Sequence, residues 1–230
     1  MAHPTPDRIL RRRQRPQAVT AYYPSGNLLQ RAVAVLRDEG FGNFVGRGLS
    51  RLGYRRLLLL ERPLADPVPE PACALRVSMR RLDPREEGEY LGFRPETPRS
   101  IVAKRWQSGD ICFVAQHEGR IISTCWVSGR KAWSEYLGCE IERAAGEAYL
   151  YDAFTLSEHR GQGVAPALCG YQLGDLRRDG YARAIRCTMP ENKPALRAHA
   201  KTGFHPVAML VSIGVGPWHT HFRRRLDGGR

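Results

Sequence analysis

A loop with two glycines, between an apolar strand and a helix, constrains the fold of this chain more than any other stretch. Residues 149–155 are rich in the aromatic and β-branched residues that suit a buried strand, and residues 163–178 carry apolar side chains at helical spacing. Gly161 and Gly163 therefore lie at a strand-to-helix turn, where glycine lets the backbone come close to a ligand. The first N–H groups of such a helix point outward at the positive end of its dipole, so the sequence predicts an anion-binding loop.

Two other interpretations of the glycines compete with this one. The dinucleotide fingerprint Gly-x-Gly-x-x-Gly needs a third glycine, but Pro166 occupies that position, and no βαβ unit with a ribose-binding carboxylate follows. An ordinary glycine turn before a helix is the simpler alternative, because short glycine motifs recur by chance. The loop alone does not decide between this turn and an anion site.

The sequence after the loop contains a second strand and a second helix. Residues 183–189 suit a strand, and Asn192 is a natural N-cap for a helix that ends at Lys201 and Gly203. Residues 160–165, read as Arg-x-x-Gly-x-Ala, resemble the acetyl-CoA pyrophosphate loop of the GCN5-related N-acetyltransferase (GNAT) superfamily. The pattern from Asn192 to Gly203-Phe204 is similar to a later helix of the same superfamily. The resemblance covers residues 74–213.

The order of elements agrees with this resemblance. We predict a strand at residues 75–79, helices within 84–92 and 100–108, a hairpin over 111–127, and then strand, helix, strand, helix, strand. The resemblance implies an α/β (mixed α+β) acyl-CoA N-acyltransferase fold. In this fold a central, mostly antiparallel twisted sheet is flanked by helices, and here it carries an N-terminal helical and strand extension.

We predict four regions along the chain. Residues 1–18 form a disordered basic arm, and residues 19–72 form the N-terminal extension and a Pro-rich linker, with a helix at 27–38, a short helix at 44–52 and a strand at 54–61. That strand could pair with the sheet or with another subunit. Residues 73–222 form the acetyltransferase domain, and residues 223–230 form a basic tail. Residues 133–147 are ambiguous between a loop and a helix.

The composition limits the class of protein. The formal net charge is +13, but residues 1–72 alone carry twelve Arg against six acids, and four Lys stand beside 32 Arg. Such an arginine bias suggests a compositional origin for the charge, so nucleic-acid binding through the arginine arm at residues 1–18 is only a third, weaker alternative. No apolar run approaches the ~20 residues of a membrane span, which predicts a cytoplasmic protein without membrane contact. The six cysteines lack metal-ligand or Cys-x-x-Cys spacing, so we expect no metal site. A homodimer is compatible with the sequence.

The resemblance also implies which residues hold acetyl-CoA or another acyl-CoA as co-substrate. One strand would present backbone groups to the pantetheine and acetyl moieties, the loop would surround the pyrophosphate mostly through main-chain N–H groups, and the later helix would contact the cofactor arm. The implied residues are Ala153, Phe154, Thr155, Arg160, Gly161, Gln162, Gly163, Val164, Ala165, Pro166 and Asn192.

The catalytic side chains are harder to assign. Members that acetylate protein N-termini have a base five residues before the Asn and a tyrosine seven after it, but Cys187 and His199 stand there in this chain. His199 could still protonate a departing thiolate. As bases we name Asp152 and Glu147, because a buried carboxylate near the loop would have a raised pKa that suits proton abstraction.

Together these features predict an enzyme that moves an acetyl or other acyl group from acyl-CoA to an amine. The acceptor would be a small molecule or a protein, and the sequence does not identify it. Two alternatives stay open. The same scaffold could take its acyl group from a carrier protein, or it could be a non-catalytic acyl-CoA-binding or regulatory protein, since the usual glutamate and tyrosine are missing.

Overall fold

A computed structural model of the chain describes residues 7–9, 53–68, 70–130, 133–215 and 218–226. The helices predicted at 27–38 and 44–52 lie outside the described residues, as does most of the arm predicted at 1–18. The described residues fold around a large central sheet. From residue 78 onward, the bounds of its strands lie close to those predicted from the sequence.

Nine strands form the main sheet, and two further short strands form a separate ribbon. In chain order the strands are β1 (Asp7–Ile9), β2 (Tyr54–Pro63), β3 (Ser78–Arg81), β4 (Ile111–His117), β5 (Arg120–Ser128), β6 (Trp133–Ser134), β7 (Cys139–Glu140), β8 (Glu147–Thr155), β9 (Arg183–Thr188), β10 (His205–Val215) and β11 (Trp218–Arg225). The order across the main sheet is β1-β11-β10-β2-β9-β8-β5-β4-β3, and β6 pairs with β7. Every pairing is antiparallel except that of β8 with β9, so the sheet is mostly antiparallel as predicted.

Helices cover both faces of the sheet. They are α1 (Glu87–Phe93), α2 (Arg99–Gln107), α3 (Val164–Arg178) and α4 (Lys193–Lys201). On one face, Leu168 and Leu173 of α3 pack against Leu60 and Phe113 of the sheet. On the other face, Tyr90 of α1 and Val102 of α2 pack against Cys112, Val114 and Trp126. Because successive strand residues point to opposite faces, Cys112 and Phe113 serve different cores.

Strand β2, from the predicted N-terminal extension, is part of the main sheet. The sequence predicts a strand at residues 54–61 inside an extension that ends at residue 72, but β2 lies between β9 and β10. Leu58 pairs with Thr188 on one side and with Met209 on the other. Leu57 and Leu59 pack on one face and Leu60 on the other, which explains why this strand is apolar without alternation. A domain boundary at residue 73 therefore cuts through the sheet.

The two predicted tails also contain ordered backbone. Asp7–Ile9, within the arm expected to be disordered, pair with β11. Arg223, Arg224 and Arg225, assigned to a basic tail, belong to β11 and pair with Leu210, Met209 and Ala208. Arginine side chains are tolerated on strands near a sheet edge, where their charged ends reach water, so charge alone did not mark the end of the domain. The ambiguous segment 133–147 contains the β6–β7 ribbon, whose Leu137 and Ile141 cover the sheet near β10.

Candidate acyl-transfer site

A fork opens between the only parallel pair of strands among the described residues. The pairing of β8 with β9 runs from Glu147–Arg183 to Leu150–Arg186 and stops there. Beyond that point β8 continues to Thr155, still paired with β5 through Ser123. Residues 151–155 of β8 therefore lie beyond its pairing with β9 and border an opening between the two strands, which we call the fork. An unpaired strand edge exposes N–H and C=O groups that can bind an extended ligand.

A β-bulge interrupts β8 beside the fork. Trp126 of β5 pairs with Tyr151 and Thr124 pairs with Phe154, so Cys125 alone lies opposite Asp152 and Ala153. Asp152 has a φ of 46°, one of two positive values among the described non-glycine residues. The bulge interrupts the alternation of side chains, and Tyr151 and Asp152 both contact Arg105 of α2. The carboxylate of Asp152 thus lies on the sheet face covered by α1 and α2.

The glycine loop, residues 160–163, joins the end of β8 to α3 through a short 3₁₀ turn at Ser157–His159. The backbone N–H groups of residues 161–165 have no hydrogen-bond acceptor among the described residues, and the N-cap Gly163 provides no side-chain cap. These five consecutive donors lie at the positive end of the dipole of a 15-residue helix. The arrangement fits an anion such as a diphosphate, as the sequence predicts.

The two glycines of the loop have different surroundings. Gly161 has a φ of 78° and nothing within 4 Å of the position of a Cβ atom, so the space beside it is open. Gly163 has a φ of 84°, but a Cβ atom there would lie 2.1 Å from the backbone oxygen of Ala72. The N–H of Ala74 donates to the Gln162 carbonyl at 2.8 Å. The segment before β3 therefore packs against the loop, and Gly163 makes room for this segment.

The remaining loop residues differ in exposure. Arg160 is exposed; its Nε donates to the Thr155 carbonyl at 3.1 Å and its guanidinium lies 5.8 Å from the Phe154 ring. The side chain of Gln162 donates to the Glu158 carbonyl and so fixes the loop from within. Val164 and Pro166 are buried, whereas Ala165 is exposed. The side chains therefore hold the loop in shape, and its backbone groups are left for a ligand.

Asn192 performs the capping role predicted from the sequence. Its Oδ1 accepts a hydrogen bond from the Ala195 N–H at 3.1 Å, which caps the N-terminus of α4. The cap lies a few residues beyond the end of β9, on the far side of the fork from β8. A contact of Asn192 with a cofactor stays a prediction.

The three residues proposed for catalysis are not brought together. Glu147 is at the start of β8, roughly 26 Å along the strand from Thr155 at about 3.3 Å per residue. Its carboxylate accepts the Ala144 N–H at 2.8 Å and pairs with Arg183 at 3.1 Å. Glu147 is therefore committed to structural contacts far from the glycine loop. The sequence alone does not show where along β8 the fork opens. For this reason Glu147 was predicted to lie at the cleft.

His199 is buried on α4, with 9% of its surface exposed. Burial, and secondarily the charge of Arg186, lowers its pKa to about 2, because both disfavour the imidazolium form. The ring packs against Phe204. At neutral pH His199 is therefore uncharged, and a charged imidazolium acid is not available at this position. Cys187, at the position of the usual base, has a pKa raised to about 12 by burial.

A cluster around Asp152 was not foreseen from the sequence. Arg105 donates to Asp152 at 2.6 Å, and Arg94 lies 3.7 Å from its other carboxylate oxygen. Nearby, Tyr151 donates to Asp110 at 2.5 Å, and burial raises the pKa of the Tyr151 hydroxyl. No signal in the sequence pointed to it, because α1 and α2 carry other charged residues and Arg105 lies 47 residues from Asp152 along the chain.

The sheet, the fork and the helix N-terminus together define an acyl-CoA N-acyltransferase fold. Residues 78–204 match the sequence profile of the acetyltransferase (GNAT) family, which is more than half of the chain. The chain belongs to this family. No curated protein sequence matches it.

One solved structure shares this fold, and the chain is also similar to two others. A GCN5-related N-acetyltransferase from Sphaerobacter thermophilus is 18% identical, with a TM-score of 0.53, over 82% of this chain and 58% of that one. Another from Kribbella flavida is 17% identical, with a TM-score of 0.48, over 83% and 65% of the two chains. An acetyltransferase of the GNAT family from Colwellia psychrerythraea is 15% identical, with a TM-score of 0.48, over 76% and 57%. This chain thus spans less than two thirds of these relatives.

Two kinds of feature are absent from the described residues. None of their helices is long and apolar enough to cross a membrane. In the same ranges, no three His, Cys, Asp or Glu side chains converge to hold a metal ion.

Proposed function

We propose that the protein transfers an acetyl or other acyl group from acyl-CoA to an amine of a small molecule or a protein. The observation that carries this proposal is the set of five N–H groups at residues 161–165, which make no close hydrogen bond among the described residues and lie beside the end of β8. Few ligands combine a diphosphate with a long, narrow arm that could enter a fork between two strands. An acyl-CoA has both parts.

The expected contacts follow from these positions. The amides of residues 161–165 would bind the diphosphate, and the exposed guanidinium of Arg160 adds positive charge beside them. By the family resemblance, backbone groups of Ala153, Phe154 and Thr155 at the end of β8 would contact the pantetheine, and Asn192 would contact it from the other side of the fork. Residues 164–166 orient the start of the helix.

Bound acyl-CoA would supply an acyl group already activated as a thioester. The chain would hold the thioester rigidly and place backbone N–H groups where negative charge develops on its carbonyl oxygen. A neutral amine then attacks the carbonyl carbon, the C–N bond forms, the C–S bond breaks, and the amine proton ends on the thiol of CoA. Acetyl-CoA as the usual donor and a cytoplasmic location belong to this proposal.

One observation favours a second candidate, a non-catalytic acyl-CoA-binding protein. Glu147 is bound to Arg183 far from the loop, and His199 is neutral and buried. If no other group accepts the amine proton, the protein would hold acyl-CoA without turnover. Binding and turnover must therefore be measured separately.

Calorimetric titration with acetyl-CoA, CoA and 4′-phosphopantetheine tests the binding step. We expect both CoA species to bind more tightly than 4′-phosphopantetheine, which lacks the diphosphate. Equal binding of all three would point to a carrier-protein donor, and binding of none would overturn the proposal. A thiol-release assay with a panel of primary amines, checked by mass spectrometry of the products, then separates the enzyme from the binding protein.

A further inference from the structure

We propose that Asp152 is a positioning residue that holds the β8 bulge in shape, and that it does not serve as the general base. The proposal rests on the proposed function, because the bulge matters only if β8 binds a thioester. It changes the role that the sequence suggested for this carboxylate. It also gives Arg105 and Arg94 a function.

The backbone at Asp152 needs an explanation. An L-residue with a φ of 46° is strained, and aspartate is one of the few non-glycine residues that tolerates this region. Such strain persists only where surrounding contacts determine the conformation. Here it coincides with the point at which one residue of β5 lies opposite two residues of β8. The bulge therefore lies in the part of β8 that continues beyond its pairing with β9.

The contacts of the Asp152 side chain hold its backbone in this conformation. Its Oδ2 accepts from Nη1 of Arg105 at 2.6 Å and lies 3.4 Å from the Tyr90 hydroxyl. Its Oδ1 faces Nη1 of Arg94 at 3.7 Å. Arg94 directly follows α1, Arg105 lies on α2, and both side chains are at least 85% buried. Two helices are thus tied to the strained residue by charged groups.

The two arginines are themselves fixed by aromatic rings. The Arg105 guanidinium lies 5.1 Å from the ring centres of both Trp126 and Tyr151. The Arg94 guanidinium lies 4.2 Å from the ring centre of Phe154, two residues after Asp152. Cation–π contacts of this kind restrict a guanidinium to one orientation. We call Arg94, Arg105 and Asp152 the clamp. Its contacts with Tyr151 and Phe154 lie on both sides of the bulge.

The same contacts argue against proton abstraction by Asp152. A general base needs an oxygen within hydrogen-bond reach of the substrate proton. Both oxygens of Asp152 face guanidinium groups, and 25% of the side chain is exposed. The carboxylate is therefore oriented toward Arg94 and Arg105, beside the two helices.

The variants Asp152→Ala and Asp152→Gly separate the two roles. Both remove the carboxylate from the same two arginines, but only glycine takes a positive φ without strain. We expect Asp152→Ala to weaken acetyl-CoA binding about tenfold relative to CoA, the equivalent of one misplaced hydrogen bond to the acyl group. Asp152→Gly should retain most of the preference for acetyl-CoA. The measurement is calorimetric titration of each folded variant with acetyl-CoA and with CoA.

A base role predicts a different result, because a base does not affect binding of the thioester. Acetyl-CoA preferences equal to that of the unsubstituted protein in both variants would overturn the proposal. Should Asp152→Ala fail to fold, Arg105→Gln tests the clamp with the carboxylate in place and should lose the same preference. Arg99→Gln is the matched control on α2, since Arg99 is largely exposed and pairs with Glu87. If the unsubstituted protein binds neither CoA species, the proposed function fails, and the inference fails with it.

Discussion

The charge requirement of the glycine loop can be tested at Gly161. The substitution Gly161→Asp places a carboxylate beside five unpaired N–H groups, and Gly161→Asn places a neutral group of the same shape there. The Cβ position is open, and both new residues tolerate the φ of 78° better than other L-residues. Both can also cap a helix N-terminus. The two variants therefore differ in charge alone.

The expected size of the effect follows from Coulomb's law. For a carboxylate ~6 Å and ~9 Å from the two phosphates, and an effective dielectric constant of ~50 at this exposed loop, the repulsion is about 2 kcal/mol. That free energy corresponds to roughly 30-fold in the dissociation constant. In calorimetric titration, the Gly161→Asp variant should bind CoA about 30-fold more weakly than the Gly161→Asn variant. Pantetheine, which has no phosphate, should bind the two variants equally.

Salt provides an independent check. The screening length falls from about 10 Å at 0.1 M salt to about 3 Å at 1 M, so the gap between the variants should narrow as salt is added. Dissociation constants for CoA that agree between the two variants at low salt would refute the reasoning. The diphosphate would then lie elsewhere, and the unpaired amides would have another explanation.

Three further predictions concern the residues around the site. Gly163→Ala should lower the free energy of unfolding more than Gly161→Ala does. Both variants incur left-handed strain of about 1–2 kcal/mol, but only the new Cβ atom at residue 163 clashes with the Ala72 oxygen. Urea unfolding of the two variants measures the difference. Glu147→Gln should lower the free energy of unfolding by about 1–2 kcal/mol, because it weakens a partly buried ion pair, and should leave CoA affinity unchanged. A fall in CoA affinity would show that Glu147 contributes to the binding site. His199, whose pKa is lowered to about 2, takes up a proton on unfolding below its ordinary pKa of 6.5, so stability falls as pH falls through 6.5. Between pH 7 and pH 5 the unsubstituted protein should lose about 2 kcal/mol more than His199→Gln, and equal losses would show that the histidine titrates in the folded state.

Local features of the site were predictable from the sequence. The strand, loop and helix around Gly161, the cap at Asn192 and the hairpin of β4 and β5 each depend on residues close together in the chain, so pattern and turn chemistry were sufficient. The helices α1 and α2 also begin and end within a few residues of the predicted bounds. Backbone recognition made the loop easier to find than any catalytic side chain.

Long-range features were not predictable. The neighbours of β2 depend on pairing with residues at least 120 positions away, and a leucine-rich run suits any fully buried place in a sheet. The bulge at Asp152 is invisible in the sequence, because a strand that alternates normally would have placed this side chain on the α3 face. The surroundings of His199 and Glu147 were missed for the same reason, since burial and ion pairing follow from packing between distant segments.

The position of β2 has a consequence for how the chain matures. Its two partners, β9 and β10, begin about 120 residues or more after the end of β2, so β2 emerges from the ribosome long before either exists. An apolar strand that waits for distant partners folds slowly and is exposed to wrong pairings in the meantime. β2 therefore cannot complete its pairing until residues 183–215 have been made, and we expect chains truncated before them to depend on chaperones.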